Sequence, residues 1–433
     1  MQIDSILYKT TFIITFALIA LLTTRRSSAL RSASQFALAD RSLPFTGVSW
    51  VIIGTLVGGI STMGTVQTAY THGISACIFT FGSSLSCLLL GCFFAKALRE
   101  QGVVTVAEYL GNSFGQGFRY YSSALSSTGM FIHVVAQFLA SIAILQSVFG
   151  FGDFLSVLFT MLLIGLFVGT GGISAAGLVG KLKFFMLYLI MAISATLALY
   201  RGGGLQQIIS QLPRDSELLS LAHYGAGSAA MDLLSMVVGV LSTQIYLQAI
   251  FSAKDVRQAR NGAFLSAAVI PPIGVLGLVI GLYLRAHSPE LGANSAQALP
   301  FFLFQSFSPL IAAFFAAGLL LIVLATGAGL VLGVTTNIYC DFLTRPRGVF
   351  QRIPQLRLLR MITSLVLLLA ALLVTTGLDS TILEWSYMSM GLRGSAVFAG
   401  LCVLVFLKKH HRSRLVLFIL YTLPLAYIGL NLC

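Results

Sequence analysis

Residues 50–70, WVIIGTLVGGISTMGTVQTAY, decide the fold. The stretch is long and apolar enough to cross a bilayer, whose hydrocarbon core needs about 20 such residues as helix. Yet Gly58 and Gly59 sit at its middle beside Ser61 and Thr62, with Gly54 and Gly64 to either side. Such interruptions let a membrane helix open and turn its backbone groups toward a ligand. A second stretch, LLSMVVGVLSTQIYLQAIF at 233–251, repeats the pattern, with Gly239 ahead of Ser242, Thr243, Gln244 and Gln248. Glycines that served helix packing alone would not need polar clusters beside them in both places.

The rest of the chain supplies the frame. Of its 433 residues 57% are apolar and only 9% charged, against about a quarter charged in a soluble protein. A soluble enzyme, a disordered chain and a disulfide scaffold are excluded together. The apolar runs also lack the period-2 alternation of a transmembrane barrel. Cutting them at charge, Pro and Gly clusters predicts twelve spans, starting near residues 6, 45, 75, 119, 155, 173, 228, 261, 306, 359, 382 and 415. The first has no basic run before it and no small-residue cleavage site after it, and is expected to be a retained helix. The six cysteines show no CxxC spacing, so neither a disulfide framework nor a metal knuckle is expected.

The net charge of +13 reads as topology rather than as a nucleic-acid footprint. Of 26 Lys and Arg, 21 fall on one set of loops and four (Lys9, Arg201, Arg214, Arg285) on the other, with Arg393 inside a span. Basic residues stay cytoplasmic, so both termini are predicted outside a cytoplasmic (inner) membrane. The exterior stretch 201–227 reads as a short surface helix plus loop, and 96–118 contains a helical TVAEYLG segment. The run KKHHRSR at 408–414 is a topogenic anchor. No segment is large enough for an aqueous catalytic domain, so function is expected inside the bundle, with a small solute and the lipid bilayer as partners. Nothing in the sequence fixes an oligomeric state.

The two interrupted spans are five apart, and an odd offset places them in oppositely oriented helices, as an inverted five-plus-five repeat requires. The fold class is then an all-α polytopic membrane protein. Its expected parts are an extra helix and linker at 1–36, a first repeat with exterior loop at 37–227, a second repeat at 228–407, and a final extra helix at 408–433.

The motifs resemble the sodium:solute symporter family. Residues 39–73, ADRSLPFTGVSWVIIGTLVGGISTMGTVQTAYTHG, are similar to that family's opening stretch. FFAKALREQGVVTVAEYLG at 93–111, GGISAAGLVGKLKF at 171–184, Gln244 with Gln248, and AKDVRQAR at 253–260 follow in order. The resemblance implies a leucine-transporter-type core of ten helices with one more at each end. It also implies alternating access, usually with sodium-driven uptake of a small organic solute. The competing classes are a sensor built on a transporter-like module, a polytopic enzyme and a channel. No output domain, catalytic cluster or acidic filter ring favours any of them.

The resemblance further implies a Na+ site between the first break and the eighth core helix, made of carbonyls and two adjacent hydroxyls. Counting back from Asp341 along GLVLGVTTNIYCD, its positions fall on Gly54, Val57, Ile322, Ala325 and Thr326. Only Thr326 keeps a hydroxyl. The acid that the family usually carries on the fifth core helix is Gly180 here, with Lys181 and Lys183 beside it. A buried ammonium can stand in for a cation and can cycle a proton. Lys183, three residues from Gly180 and on its helical face, is the first candidate for such a surrogate and Lys181 the second. Transport would then be proton-coupled or ion-independent. The alternative is that both lysines snorkel from a helix end.

Arg393 lies about eleven residues into its span, where an arginine costs roughly 2.5 to 3.5 kcal/mol unless paired or hydrated. It faces either a carboxylate-bearing solute or a fixed partner: Glu384, Asp232 or helix-end carbonyls. His133 and Gln137 share a helical face as a cavity wall or a packing pair. Gln244 and Gln248 are candidates for inner-gate support, and Tyr387 and Ser389 flank Arg393 in sequence. The expected solute-binding set is Gly58, Gly59, Ser61, Thr62, His133, Gln137, Thr243, Gln244, Tyr387 and Arg393.

Overall fold

The computed structural model describes residues 6–25, 41–169, 172–213, 217–343, 354–376, 382–407 and 413–432. Arg26, Arg31, Arg214, Asp215, the basic residues at 345–352 and residues 408–412 of the KKHHRSR run lie outside them.

The described chain is almost wholly helical. α1 (Ile6–Arg25) precedes the first interrupted span, whose first half is α2 (Phe45–Leu56) and whose second half is α3 (Thr65–His72). α4 (Cys77–Leu89) continues through a wide turn to Arg99, and α5 (Val106–Phe114) is the short helix read from TVAEYLG. Its start is a reciprocal cap: Thr105 Oγ1 accepts from Glu108 N at 3.0 Å and Glu108 Oε2 accepts from Val104 N at 3.0 Å. α6 (Gln116–Phe149), α7 (Asp153–Gly169) and α8 (Gly172–Arg201) follow, then the surface helix α9 (Leu205–Ser210).

The second interrupted span is α10 (Ala226–Val240) with α11 (Gln244–Phe251). α12 (Val256–Val269) and α13 (Pro271–His287) form the next, bent at Pro271 and Pro272. α14 (Ala298–Ser306), α15 (Pro309–Asn337), α16 (Gln355–Val374), α17 (Ile382–Phe406) and α18 (Arg414–Leu432) complete the bundle. Among the described residues eight segments are long and apolar enough to cross a membrane, and Ile6–Leu21, Phe45–Leu56, Asp153–Val168 and Arg414–Gly429 are shorter apolar helices. With Ile60–Arg99 counted as half of one span plus the whole of the next, these make the twelve predicted spans. Large apolar side chains such as Ile14, Leu166 and Phe418 face outward, the arrangement a lipid solvent requires.

Both interruptions are real breaks. α2 ends where Val57 turns extended (φ −91°, ψ 100°), and the chain re-enters helix through a wide π turn at Ile60–Gly64. α10 ends at Val240, and Thr243 is extended (φ −78°, ψ 117°) before α11 begins. α6 and α15 run unbroken beside them, and α17 packs along α6 and α10. α2 and α11, one half of each interrupted span, pack against each other.

Candidate solute and ion site

The first break is held by its own hydroxyls. Ser61 Oγ accepts from Gly58 N at 2.8 Å, and Thr62 Oγ1 donates to Gly58 O at 2.8 Å. These two side chains, expected on the solute, are instead committed to backbone groups that the break frees, because an unpaired buried carbonyl costs about 1–3 kcal/mol. Thr243 does the same at the second break, donating to Gly239 O at 2.7 Å. Gly58 and Gly59 remain the backbone of the first break, and Gly59 N donates to Gln137 Oε1 at 3.3 Å, tying it to α6. Gly58 has no side chain for a packing reason: a Cβ there would overlap Thr326 on α15.

Lys183 lies against that same break. It is 1% exposed, and its Nζ donates to Gly54 O at 2.5 Å and to Thr326 Oγ1. Thr326 in turn donates to Ile322 O at 2.9 Å. Val57, where the helix opens, and Ala325 are buried in the same region, and neither side chain brings an oxygen. Lys181 is exposed, so of the two lysines only Lys183 reaches the break. The approach depends on Gly180, one turn earlier on α8, where an added Cβ would overlap the Trp50 carbonyl oxygen. Gly180→Ala is accordingly expected to destabilise the protein by about 1–3 kcal/mol through overpacking, read as a lowered midpoint in thermal unfolding, because rigid backbone rather than a movable side chain is in the way.

Arg393 is fully buried on α17. Its Nη2 donates to His133 Nδ1 at 2.9 Å and to Met390 Sδ at 2.7 Å, while Nε and Nη1 have no partner among the described residues. The fixed pair with Asp232 is not formed: Asp232 accepts from Tyr224 at 2.7 Å. Glu384 is not its hydrogen-bonded or ion-paired partner among the described residues either; its electrostatic influence falls on His72 and Asp232. His133 and Gln137 do share a face of α6, and Tyr246, which the sequence reading passed over, adds a buried hydroxyl within electrostatic reach of Arg393. Its position two residues into α11, just past the second break, was the available signal. Tyr387 keeps a buried hydroxyl with no partner among the described residues, and Ser389 donates to Gly129 O, locking α17 on α6.

Gln244 is a strut rather than a wall of this region. Its Oε1 accepts from Val106 N at 3.0 Å and its Nε2 donates to Val104 O at 3.0 Å, so α5 uses up its amide. Beside it lies a lock that sequence reasoning missed. Arg119 Nε and Nη2 both stand 2.8 Å from Asp341 Oδ1, and Thr105 and Ser123 donate to the same carboxylate at 3.0 and 2.8 Å. These contacts bind α5, α6 and the end of α15 on the side that carries the basic loops. Breaking a buried pair by removing one partner costs about 3–5 kcal/mol. Asp341→Ala is therefore expected to release this seal, measurable as faster labelling of a cysteine placed at Gly333, reached from the basic-loop side. At the opposite end, Tyr70 donates to Pro289 O at 3.0 Å and accepts from Gly292 N at 3.2 Å, clasping α3 to the loop before α14.

The comparisons agree with this geometry. The fold resembles a Na+-coupled sialic acid symporter (TM-score 0.77, 15% identity, covering 93% of this chain and 88% of that one). It also resembles a nucleobase-cation-symport-1 family transporter (TM-score 0.55, 13% identity, covering 90% and 84%). Among curated proteins, the high-affinity choline transporter 1 of Caenorhabditis elegans is 22% identical over 285 residues, 63% of this chain and 48% of that protein. The sodium/glucose cotransporter of Vibrio parahaemolyticus is 20% identical over 283 residues, 61% and 52%. The chain spans about half the length of these curated relatives. A family model, the sodium:solute symporter family, matches residues 36–413. With interrupted helices at the matching places and that model covering most of its length, the chain belongs to the sodium:solute symporter family.

Proposed function

We propose that the protein is a secondary active transporter of the cytoplasmic (inner) membrane that moves a small carboxylate-bearing solute by alternating access and does so without sodium. The single observation that carries the reading is the Lys183 ammonium bonded to Gly54 O and Thr326 Oγ1. A sodium ion needs oxygens from every side, whereas here two of the oxygens nearest the break are taken by a tethered cation and Ala325 supplies none. The residues present do not fit Na+. Lys183 fulfils the structural part of a bound cation, joining the first broken helix to α15, and can exchange a proton when that contact opens.

The carboxylate reading rests on Arg393. A guanidinium buried with two free nitrogens and no acidic hydrogen-bond partner among the described residues is costly in a low-dielectric interior, and an anionic solute removes that cost. The family relatives and the broken-helix geometry support transport rather than sensing.

The experiment is a thermal-shift screen of solutes, since a ligand that binds the folded state raises its stability, followed by flux into proteoliposomes. Solute uptake down its gradient with potassium replacing sodium on both sides is the expected result, and accumulation above the outside concentration under an imposed pH gradient tests whether protons drive it. Binding without flux would leave a receptor, and uptake that stops without sodium would overturn the coupling proposed.

A further inference from the structure

The hydrogen-bond roles around Arg393 narrow the solute further. Arg393 Nη2 lies 2.9 Å from His133 Nδ1. A guanidinium has no acceptor, so that nitrogen must offer its lone pair and the ring proton sits on Nε2. His133 Nε2 has no partner among the described residues, and neither have Arg393 Nε and Nη1. One turn along α6, Gln137 uses its carbonyl oxygen on Gly59 N, which leaves its amide nitrogen unpartnered. Every nitrogen left over on this fully buried face is therefore a donor. A buried hydroxyl within electrostatic reach of Arg393, that of Tyr246, can take either role.

We propose that this face selects solutes by acceptor content: it takes a hydroxy- or keto-carboxylic acid and rejects the amino acid of the same skeleton. The inference rests on the carboxylate reading above. The carboxylate accepts from Arg393 Nη1 or Nε, one nitrogen at a time because their N–H bonds diverge, and a second oxygen accepts from His133 Nε2 or from Gln137, which stand about 6 Å apart along the helix. An ammonium group brings three donors and no acceptor. It would face donors that it cannot satisfy and the charge of Arg393, and the rejection expected is about a hundredfold or more. His133 is the positioning residue: its lone pair fixes the guanidinium, and that bond in turn fixes which ring nitrogen donates.

The test uses the full-length protein in detergent or nanodiscs and matched pairs of probes: L-lactate and pyruvate beside L-alanine, glycerate beside L-serine, and 2-oxoglutarate beside L-glutamate. Thermal stabilisation by at least one oxygen acid, with none by its amino-acid partner, is expected. Equal stabilisation by both members overturns the donor-only rule while leaving the carboxylate reading intact. Stabilisation by no acid of the panel overturns the rule as well. If Arg393→Gln also fails to change binding of the acids in the general solute screen, the carboxylate reading falls with it.

Nitrogen NMR of histidine-labelled protein gives an independent readout, with His133 assigned by its loss in His133→Gln. A proton on Nε2 is expected, and one on Nδ1, or on both nitrogens, contradicts the assignment. Glutamine can reproduce the acceptor and donor pair and leucine cannot. His133→Gln should therefore hold affinity for the stabilising acid within about threefold, and His133→Leu should lose about tenfold or more. Equal losses in the two variants would reduce His133 to packing.

Discussion

Lys183→Met is expected to lower solute uptake into proteoliposomes by about a hundredfold or more. Methionine keeps the length of the side chain and fits a low-dielectric site, but it cannot donate. Gly54 O and Thr326 Oγ1 each lose the hydrogen bond that joins α2 and α15 across the break. Gly54 O is left an orphaned buried acceptor, which costs about 1–3 kcal/mol, while Thr326 Oγ1 keeps its bond to Ile322 O; the orphan together with the severed tie between α2 and α15 shifts the balance between conformations by enough to account for that loss. Overall stability need not fall with activity, because replacing a buried ion by an apolar group of similar volume is often neutral. Uptake and thermal unfolding measured on the same preparation separate these effects. A variant that transports at the parental rate would show that the lysine only anchors its helix.

Arg393→Gln is the second large effect. Its guanidinium is buried with two nitrogens that have no hydrogen-bond partner among the described residues, and a glutamine keeps hydrogen bonding while removing the charge. Uptake of an organic acid should fall by about a hundredfold, whereas uptake of the corresponding amide should change little, since the loss of a charged contact is felt only by a charged ligand. The informative quantity is the ratio of acid to amide transport by the two proteins. A ratio that stays at the parental value, whatever happens to the absolute rates, would mean that Arg393 holds α6 and α17 together through His133 and does not meet the solute.

The fold was legible because lipid simplifies the code. Every span needs a long apolar run, and the paired interruptions at Gly58–Gly59 and Gly239–Thr243 stand out against that background. The predicted starts lie close to the helices found, with the larger shifts, as at α12, arising where polar first turns such as VRQAR precede the apolar part. The approach of Lys183 to the first break was legible for a different reason. Position 183 shares a face with Gly180, and only a glycine there lets α8 lie against the Trp50 carbonyl.

Other parts of the site depended on contacts that sequence distance hides. Ser61, Thr62 and Thr243 look like ligand-binding hydroxyls in one dimension, yet a broken helix claims its nearest hydroxyls first. Gln244 looks like part of the second break, but α5, some 140 residues earlier, takes its amide. The Arg119–Asp341 lock joins residues 222 apart, each of which reads as an ordinary charge at a span end. Asp232 and Glu384 match Arg393 by charge, but Asp232 accepts from Tyr224 and the electrostatic influence of Glu384 falls on His72, contacts that sequence distance does not reveal.

The most direct test of the account is equilibrium binding of radiolabelled sodium to the purified protein, with potassium as the balancing salt. A lysine that fills the cation position predicts no saturable sodium binding, and none that depends on Thr326. Saturable binding in the wild-type protein that disappears in Thr326→Val would contradict it, placing a sodium ion where the ammonium of Lys183 is held to act.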